Sequence, residues 1–460
     1  MNPSAARSAL DAGLALGADF AELFVEETRS SDLVLKESKV QTADAAVEFG
    51  VGMRLVFGSE VLYAHVSDDS GEALVALARK LGSLRASERK APLCGPTRAP
   101  LAAPVLREVL VDPREAGQRA KLPMLQTLDR VARAAGSRIA QVTASMSDAV
   151  SEIEIFNSEG LAVSDRRTRT RLALNVVAGE GDEKVSARHA PGSTLGFEFF
   201  KGLDLDLIAR KTADQALRML GAGYVEGGKM PVVIGNGFGG VIFHEACGHP
   251  LETESVRKNA SAFGGKLGEK IAHSCLTAID DGTLPGVWGS LPVDDEGTPT
   301  QRTVLIENGV LKTYLSDRIG AAEVGVPRSG SARRQSYALA PVARMRNTYI
   351  APGTSPLSEM LASAGDGLYA CKMGGGSVNP ATGEFNFAVE EGYRIRGGKL
   401  AEPVRGASLI GKGPEILPLI SMVGDDLELA SGICGASSGY VPVTVGQPTI
   451  KVDEILVGGR

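Results

Sequence analysis

The hydrophobic positions change period several times along the chain. Over Ala5–Leu16 apolar residues recur at helical spacing. Ala21–Glu27, Asp32–Ser38 and Val47–Phe57 then alternate Val, Leu and Phe with polar residues, the pattern of half-buried strands. A turn at Gly58-Ser59-Glu60 leads into a further strand, Val61–Val66. Leu74, Leu77, Ala78 and Leu81 predict a helix over Gly71–Leu84. Ala86–Pro104 holds four prolines and little periodicity, and reads as a linker. Asp112-Pro113 opens a helix that runs to Gly136, with a break expected at Pro123. Strands follow at Ile139–Ser147 and Val150–Phe156, a turn at 157–160, and strands at Leu161–Val163 and Leu172–Ala178. Arg167, Arg169 and Arg171 share one strand face at period two. Solvation is the plain reading of that face, and contact with a substrate is the alternative. Asp204–Leu220 reads as a helix and Gly221–Lys229 as a glycine-rich joint. From Met230 onward, short apolar runs and frequent glycines predict a β-rich region with few helices.

This pattern gives an α+β protein. An N-terminal α/β region is followed by a β-rich C-terminal domain, with boundaries at 1–95, 105–225 and 229–460. The 56 glycines among 460 residues fit many tight turns, and 23% charged residues exclude global disorder. The net charge of −6 supplies no basic field for nucleic acid. No apolar stretch is long enough to span a membrane, and the start lacks the basic and apolar regions of a signal peptide. Five widely spaced cysteines do not form a disulfide framework. A cytoplasmic protein is expected.

The chemistry concentrates at Gly239–Glu252. His244 and Glu245 begin His-Glu-x-x-x-His, which ends at His249. It is one residue longer than the zinc-protease pattern His-Glu-x-x-His, in which both imidazoles share a helix face and the Glu acts as base. On an ideal α-helix five residues rotate about 500°, leaving the histidines about 140° apart. To share an ion they need a π-type turn or a helix end between Ala246 and His249. A third ligand is also required. Cys247, Cys275, Cys371, Cys434 and a carboxylate are all open candidates, Cys247 being close in the chain. An overlapping pattern, the strand Met230–Ile234 followed by Gly235-x-Gly237-x-x-Gly240, matches a dinucleotide fingerprint. Gly264 and Gly265 make the required βαβ unit hard to place, so these glycines are read as allowing close backbone approach.

Further motifs accompany the histidines. They are Phe263-Gly-Gly-Lys-Leu-Gly-Glu-Lys270, Asp280-Asp-Gly-Thr283, Asp294-Asp-Glu-Gly-Thr298, Met345-Arg-Asn-Thr-Tyr349, Gly374-Gly-Gly-Ser-Val-Asn-Pro-Ala-Thr-Gly383 and Val445-Gly-Gln-Pro-Thr449. With these the chain resembles the TldD/PmbA family, specifically its catalytic TldD branch, most strongly over 230–460. In the N-terminal half Gly50-Val-Gly-Met-Arg54 is similar. The resemblance implies a cytoplasmic zinc metallopeptidase acting on unfolded or small peptides. It implies His244, His249 and Cys434 as ligands of Zn²⁺ and Glu245 as catalytic base. It also implies a dimer, with a TldE/PmbA-like chain or a second copy as partner. Two alternatives stand beside it. One is a metal-dependent hydrolase of a modified-peptide or non-peptide amide in a biosynthetic pathway. The other is a non-catalytic, zinc-bearing partner subunit. Gly374–Gly376 is a candidate place for substrate backbone, or a plain turn.

Overall fold

The computed structural model describes residues 1–85, 99–379 and 381–459. Most of the expected linker, with Cys94, lies outside the described residues, as does Pro380 of the Gly374–Gly383 motif.

The first half is built on long antiparallel strands. Helix α1 (Pro3–Ala15) is capped by Asn2, whose side chain accepts from the Ser4 N–H. Strands β1 (Phe20–Lys36), β2 (Lys39–Phe57) and β3 (Glu60–Val66) then form a meander. Helix α2 (Gly71–Ser83) packs with α1 over it, burying Leu74, Leu77, Ala78 and Leu81. The short strand β4 (Leu101–Ala102) precedes helix α3 (Pro113–Arg133), which is followed by β5 (Ile139–Asn157) and β6 (Ala162–Glu180). The sheet order is β3-β2-β1-β5-β6-β4. The pairing of β1 with β5 joins the two ends of this half in one sheet. Helix Leu205–Leu220 and α3 share a second core with β5 and β6.

Three sequence readings change here. The polar run from Glu26 to Ser31 does not interrupt β1, because β2 and β5 both bond it. β5 and β6 are likewise continuous. The break in α3 falls at Gly117, where φ is 63°, and not at Pro123. Glycine reaches that backbone region without the Cβ penalty that other residues meet. Finally, the arginines of β6 do not form a solvated face. Arg169 and Arg171 lie 5.9 and 5.5 Å from the Trp288 ring centre, and Arg167 pairs with Asp165 at 2.7 Å.

From Gly228 onward the strands are shorter and two sheets enclose the largest core. Strand Gly228–Ile234 pairs with Gly367–Asn379 and Ile450–Gly458. Gly374–Gly376 lie inside Gly367–Asn379, at a shift of register, and do not form a turn. A separate six-stranded sheet ends at the edge strand Glu428–Ala436, which pairs with Gly439–Gln447. No helix among the described residues is long and apolar enough to cross a membrane.

Buried charge locks the halves together. Arg54 of β2 meets Glu22 and Glu296, each at 2.7 Å, and Arg334 meets Glu22 at 2.7 Å. Tyr63 donates its hydroxyl to the Tyr337 carbonyl at 2.6 Å. The Asp294 carboxylate accepts from the Glu296, Thr298 and Ala332 N–H groups, folding the loop that carries Glu296.

Candidate metal centre

The strand Gly228–Ile234 delivers the chain to a helical segment of changing pitch. A 3₁₀ turn (Gly237–Gly240) passes into one α-turn (Val241–Phe243), then a π-turn (His244–Gly248), then a second 3₁₀ turn (His249–Leu251). Two glycines permit the packing. A Cβ on Gly240 would stand 2.6 Å from the Gly446 backbone, and one on Gly248 would stand 2.1 Å from the Met345 Sδ. In the π-turn the His249 N–H bonds to the His244 carbonyl, five residues back. This widened turn removes the 140° separation that an α-helix would impose. The two imidazoles stand 5.1 Å apart, edge to face.

Cys434 comes from the edge strand Glu428–Ala436, 185 residues further along the chain. Its Sγ lies 3.1 Å from His249 Nε2. Arg344 fixes the strand there, donating from Nη2 to the Cys434 carbonyl at 2.7 Å and from Nη1 to Ser438 and Gly439. One donor atom from each of His244, His249 and Cys434 lies within 4.8 Å of the others, and all three side chains are buried. Cys247 and Cys371 are free cysteines outside this group, and Cys275 is exposed beside His273.

Glu252 was not singled out in the sequence, although it stands three residues after His249. Its Oε2 accepts from His249 Nδ1 at 2.9 Å, and its Oε1 accepts from the Met345 N–H at 3.2 Å. This bond fixes the imidazole with Nε2 turned toward the cluster. Glu245 stands at the mouth. Its side chain keeps 26% of its exposure, and Oε2 is 3.7 Å from His249 Nε2.

The electrostatics follow from burial. Burial drives His244 well below the ordinary histidine range, with the His249, Arg344 and Arg333 charges acting in the same direction. Burial also acts to lower His249, but Glu252 and Cys434 outweigh it and hold the imidazole well above its ordinary value. Burial raises the Glu245 carboxyl, against the pull of His249.

The residues present fit a metal ion. Both ring nitrogens of His244 are buried and have no hydrogen-bond partner among the described residues. A buried polar atom without a partner is costly, and a cation facing its lone pair satisfies it. Two imidazoles and a thiol supply the nitrogen and sulfur donors that zinc prefers. Cys434 stands where it could give a third donor, a choice that the spacing alone leaves open.

A buried nitrogen–sulfur cluster with a carboxylate at its mouth is the architecture of a metal-dependent hydrolase. The comparisons give the family. The PmbA/TldA metallopeptidase domain 1 matches residues 21–84, its central domain 111–220 and its C-terminal domain 227–459. The Metalloprotease TldD homolog of Haemophilus influenzae is 37% identical over 449 residues, covering 96% of this chain and 93% of that relative. The Zinc metalloprotease TldD homolog of Saccharolobus solfataricus is 32% identical over 315 residues, 66% of this chain and 70% of that one. The crystal structure of TldE from Thermococcus kodakarensis shares the fold with a TM-score of 0.76 at 20% identity, covering 99% of this chain and 100% of that one. The chain belongs to the PmbA/TldD family of metallopeptidases.

Proposed function

We propose that this chain is a zinc-dependent peptidase of unfolded or small peptides, with His244, His249 and Cys434 as its ligands and Glu245 as its general base. The observation that carries the reading is the buried, partnerless imidazole of His244 beside His249 and Cys434. A zinc ion held by these three side chains would supply Lewis-acid chemistry, lowering the pKa of a bound water toward 7. Glu245 takes the proton of the attacking water at its carboxylate and returns it to the nitrogen of the leaving amine. Glu252 keeps the His249 ring in one orientation throughout. The chain works in the cytoplasm, paired with a TldE-like chain or a second copy. Pairing would enclose the site so that only extended or small substrates enter. The free cysteines and the acidic net charge are compatible with that setting.

The test is Glu245→Gln. The amide cannot accept the proton, so peptide hydrolysis falls about 10²- to 10⁴-fold while zinc content stays unchanged. Undiminished cleavage would remove Glu245 from the chemistry.

A further inference from the structure

A second polar cavity lies between β6 and residues 333–336. It has a volume of about 120 Å³. Four arginines line it, and they fall into two kinds. Arg167 pairs with Asp165 and Asp295. Arg334 pairs with Glu22 and also donates to the Asp295 carbonyl at 2.9 Å. Arg169 and Arg333 have no carboxylate partner among the described residues. Arg169 donates only to the Thr168 and Ser290 carbonyls, at 3.1 and 3.0 Å. Arg333 is 2% exposed and makes a single hydrogen bond, from Nη1 to the Met345 carbonyl at 2.8 Å.

The two carboxylates of the cavity are already engaged. Glu26 accepts from the Tyr337 N–H and the Thr28 hydroxyl. Asp295 accepts from Arg167 and from the Arg334 N–H. Burial, followed by the neighbouring Arg167, lowers Arg169 to about 10. Burial, followed by the neighbouring Arg169, lowers Arg333 to about 9. Both stay cationic at neutral pH; Arg169 opposes the charge on Arg333, and Asp295 offsets only part of the cost for each. A buried cation without a counter-ion is costly, and a guanidinium offers parallel N–H groups that match a carboxylate.

The cavity shares Ile153, Arg167, Arg169 and Leu291 with a wider groove of about 450 Å³. It is also tied to the metal cluster. Arg333 holds the Met345 carbonyl, the Met345 N–H bonds Glu252, and Glu252 holds His249.

We propose that this cavity is a carboxylate-binding subsite in which Arg169 and Arg333 receive a carboxylate of the peptide, its free C-terminus or an acidic side chain. The proposal rests on the peptidase reading for its ligand, and it gives the enzyme a preference for acidic or carboxy-terminal segments. Trp288, the single tryptophan of the chain, stacks on Arg169 and reports on the site.

The experiment titrates the zinc-loaded protein with a short N-acetylated peptide and with its C-terminal amide. Tryptophan emission and hydrolysis are both followed, with acetate and inorganic phosphate as further arms. The peptide acid shifts the emission saturably and shows a KM at least about tenfold below that of the amide. Arg333→Gln and Arg169→Gln each abolish the emission difference between acid and amide, and an unchanged far-UV circular dichroism spectrum shows that the variants are folded. Arg333→Lys restores part of it. A peptide with an internal Glu and an amidated end separates side-chain from terminal recognition. Equal binding of acid and amide overturns the subsite. Phosphate or acetate binding as tightly as the peptide acid makes it a free-anion site and overturns the peptide assignment. If neither peptide is cut but the emission difference remains, the subsite stands and the peptidase reading fails.

Discussion

Lys121 and His244 are both buried, and they are satisfied in opposite ways. Lys121 of α3 lies under the first sheet, where it pairs with Asp148 of β5 and donates to the Ser31 hydroxyl at 3.0 Å. The ammonium and the carboxylate neutralise each other, and a hydroxyl takes a further donor. His244 lies in the π-turn, and neither ring nitrogen has a partner among the described residues. The first arrangement is closed and needs nothing from outside the chain. The second is open, because one ring nitrogen offers a lone pair and the other an N–H, and neither meets a partner among the described residues. The difference separates scaffold from site more sharply than burial alone, since both residues are almost fully inaccessible.

The largest effect expected from breaking this comparison is at the closed pair. Lys121→Met leaves Asp148 buried without its counter-ion and should cost about 3–5 kcal/mol in denaturant unfolding. The double variant Lys121→Met/Asp148→Leu should recover most of that loss, because an apolar pair of similar volume fills the same space. A double variant no more stable than Lys121→Met would show that the pair is not closed in this sense.

Next comes the support of the open site. Glu252→Gln should lower metal affinity about 10- to 100-fold, read by competition with a chelator, because the His249 ring loses its carboxylate. Unchanged affinity would leave Glu252 a purely structural residue.

The smallest effect lies on the scaffold again. Asp204 caps helix Leu205–Leu220 by accepting from the Leu207 N–H at 2.9 Å. Asp204→Ala should cost about 1 kcal/mol in thermal or denaturant unfolding and leave metal content untouched. A change in metal content would mean that scaffold and site are coupled through this helix.

These regions also differ in how they read from sequence. Along β1 and β2 the apolar alternation marks strands because one face is buried. It fails over Glu26–Ser31, where neighbouring strands hold a polar run extended and local pattern carries no trace of them. The half-buried, covered face of Arg167, Arg169 and Arg171 is invisible for the same reason, since Trp288 and Asp295 reach it from more than 100 residues away. At the metal cluster the local part is legible. His244, Glu245 and His249 announce themselves by spacing, and the helical arithmetic already requires the departure that the π-turn makes. Cys434 is one of several open candidates in the residues alone and is singled out only through family resemblance, because no local rule reaches 185 residues along the chain. Glu252 was within reach, as a carboxylate three residues after a candidate ligand is a local signal for a histidine held by hydrogen bond.

The central claim is that His244, His249 and Cys434 hold one ion between them. Elemental analysis of zinc in the purified wild-type and Cys434→Ser proteins, dialysed against the same weak chelator, tests it most directly. About one zinc per chain should remain in the wild type, as three ligands with one open position describe a mononuclear site. Cys434→Ser should lose most of it with its far-UV circular dichroism unchanged. Equal zinc in the two proteins would contradict the claim.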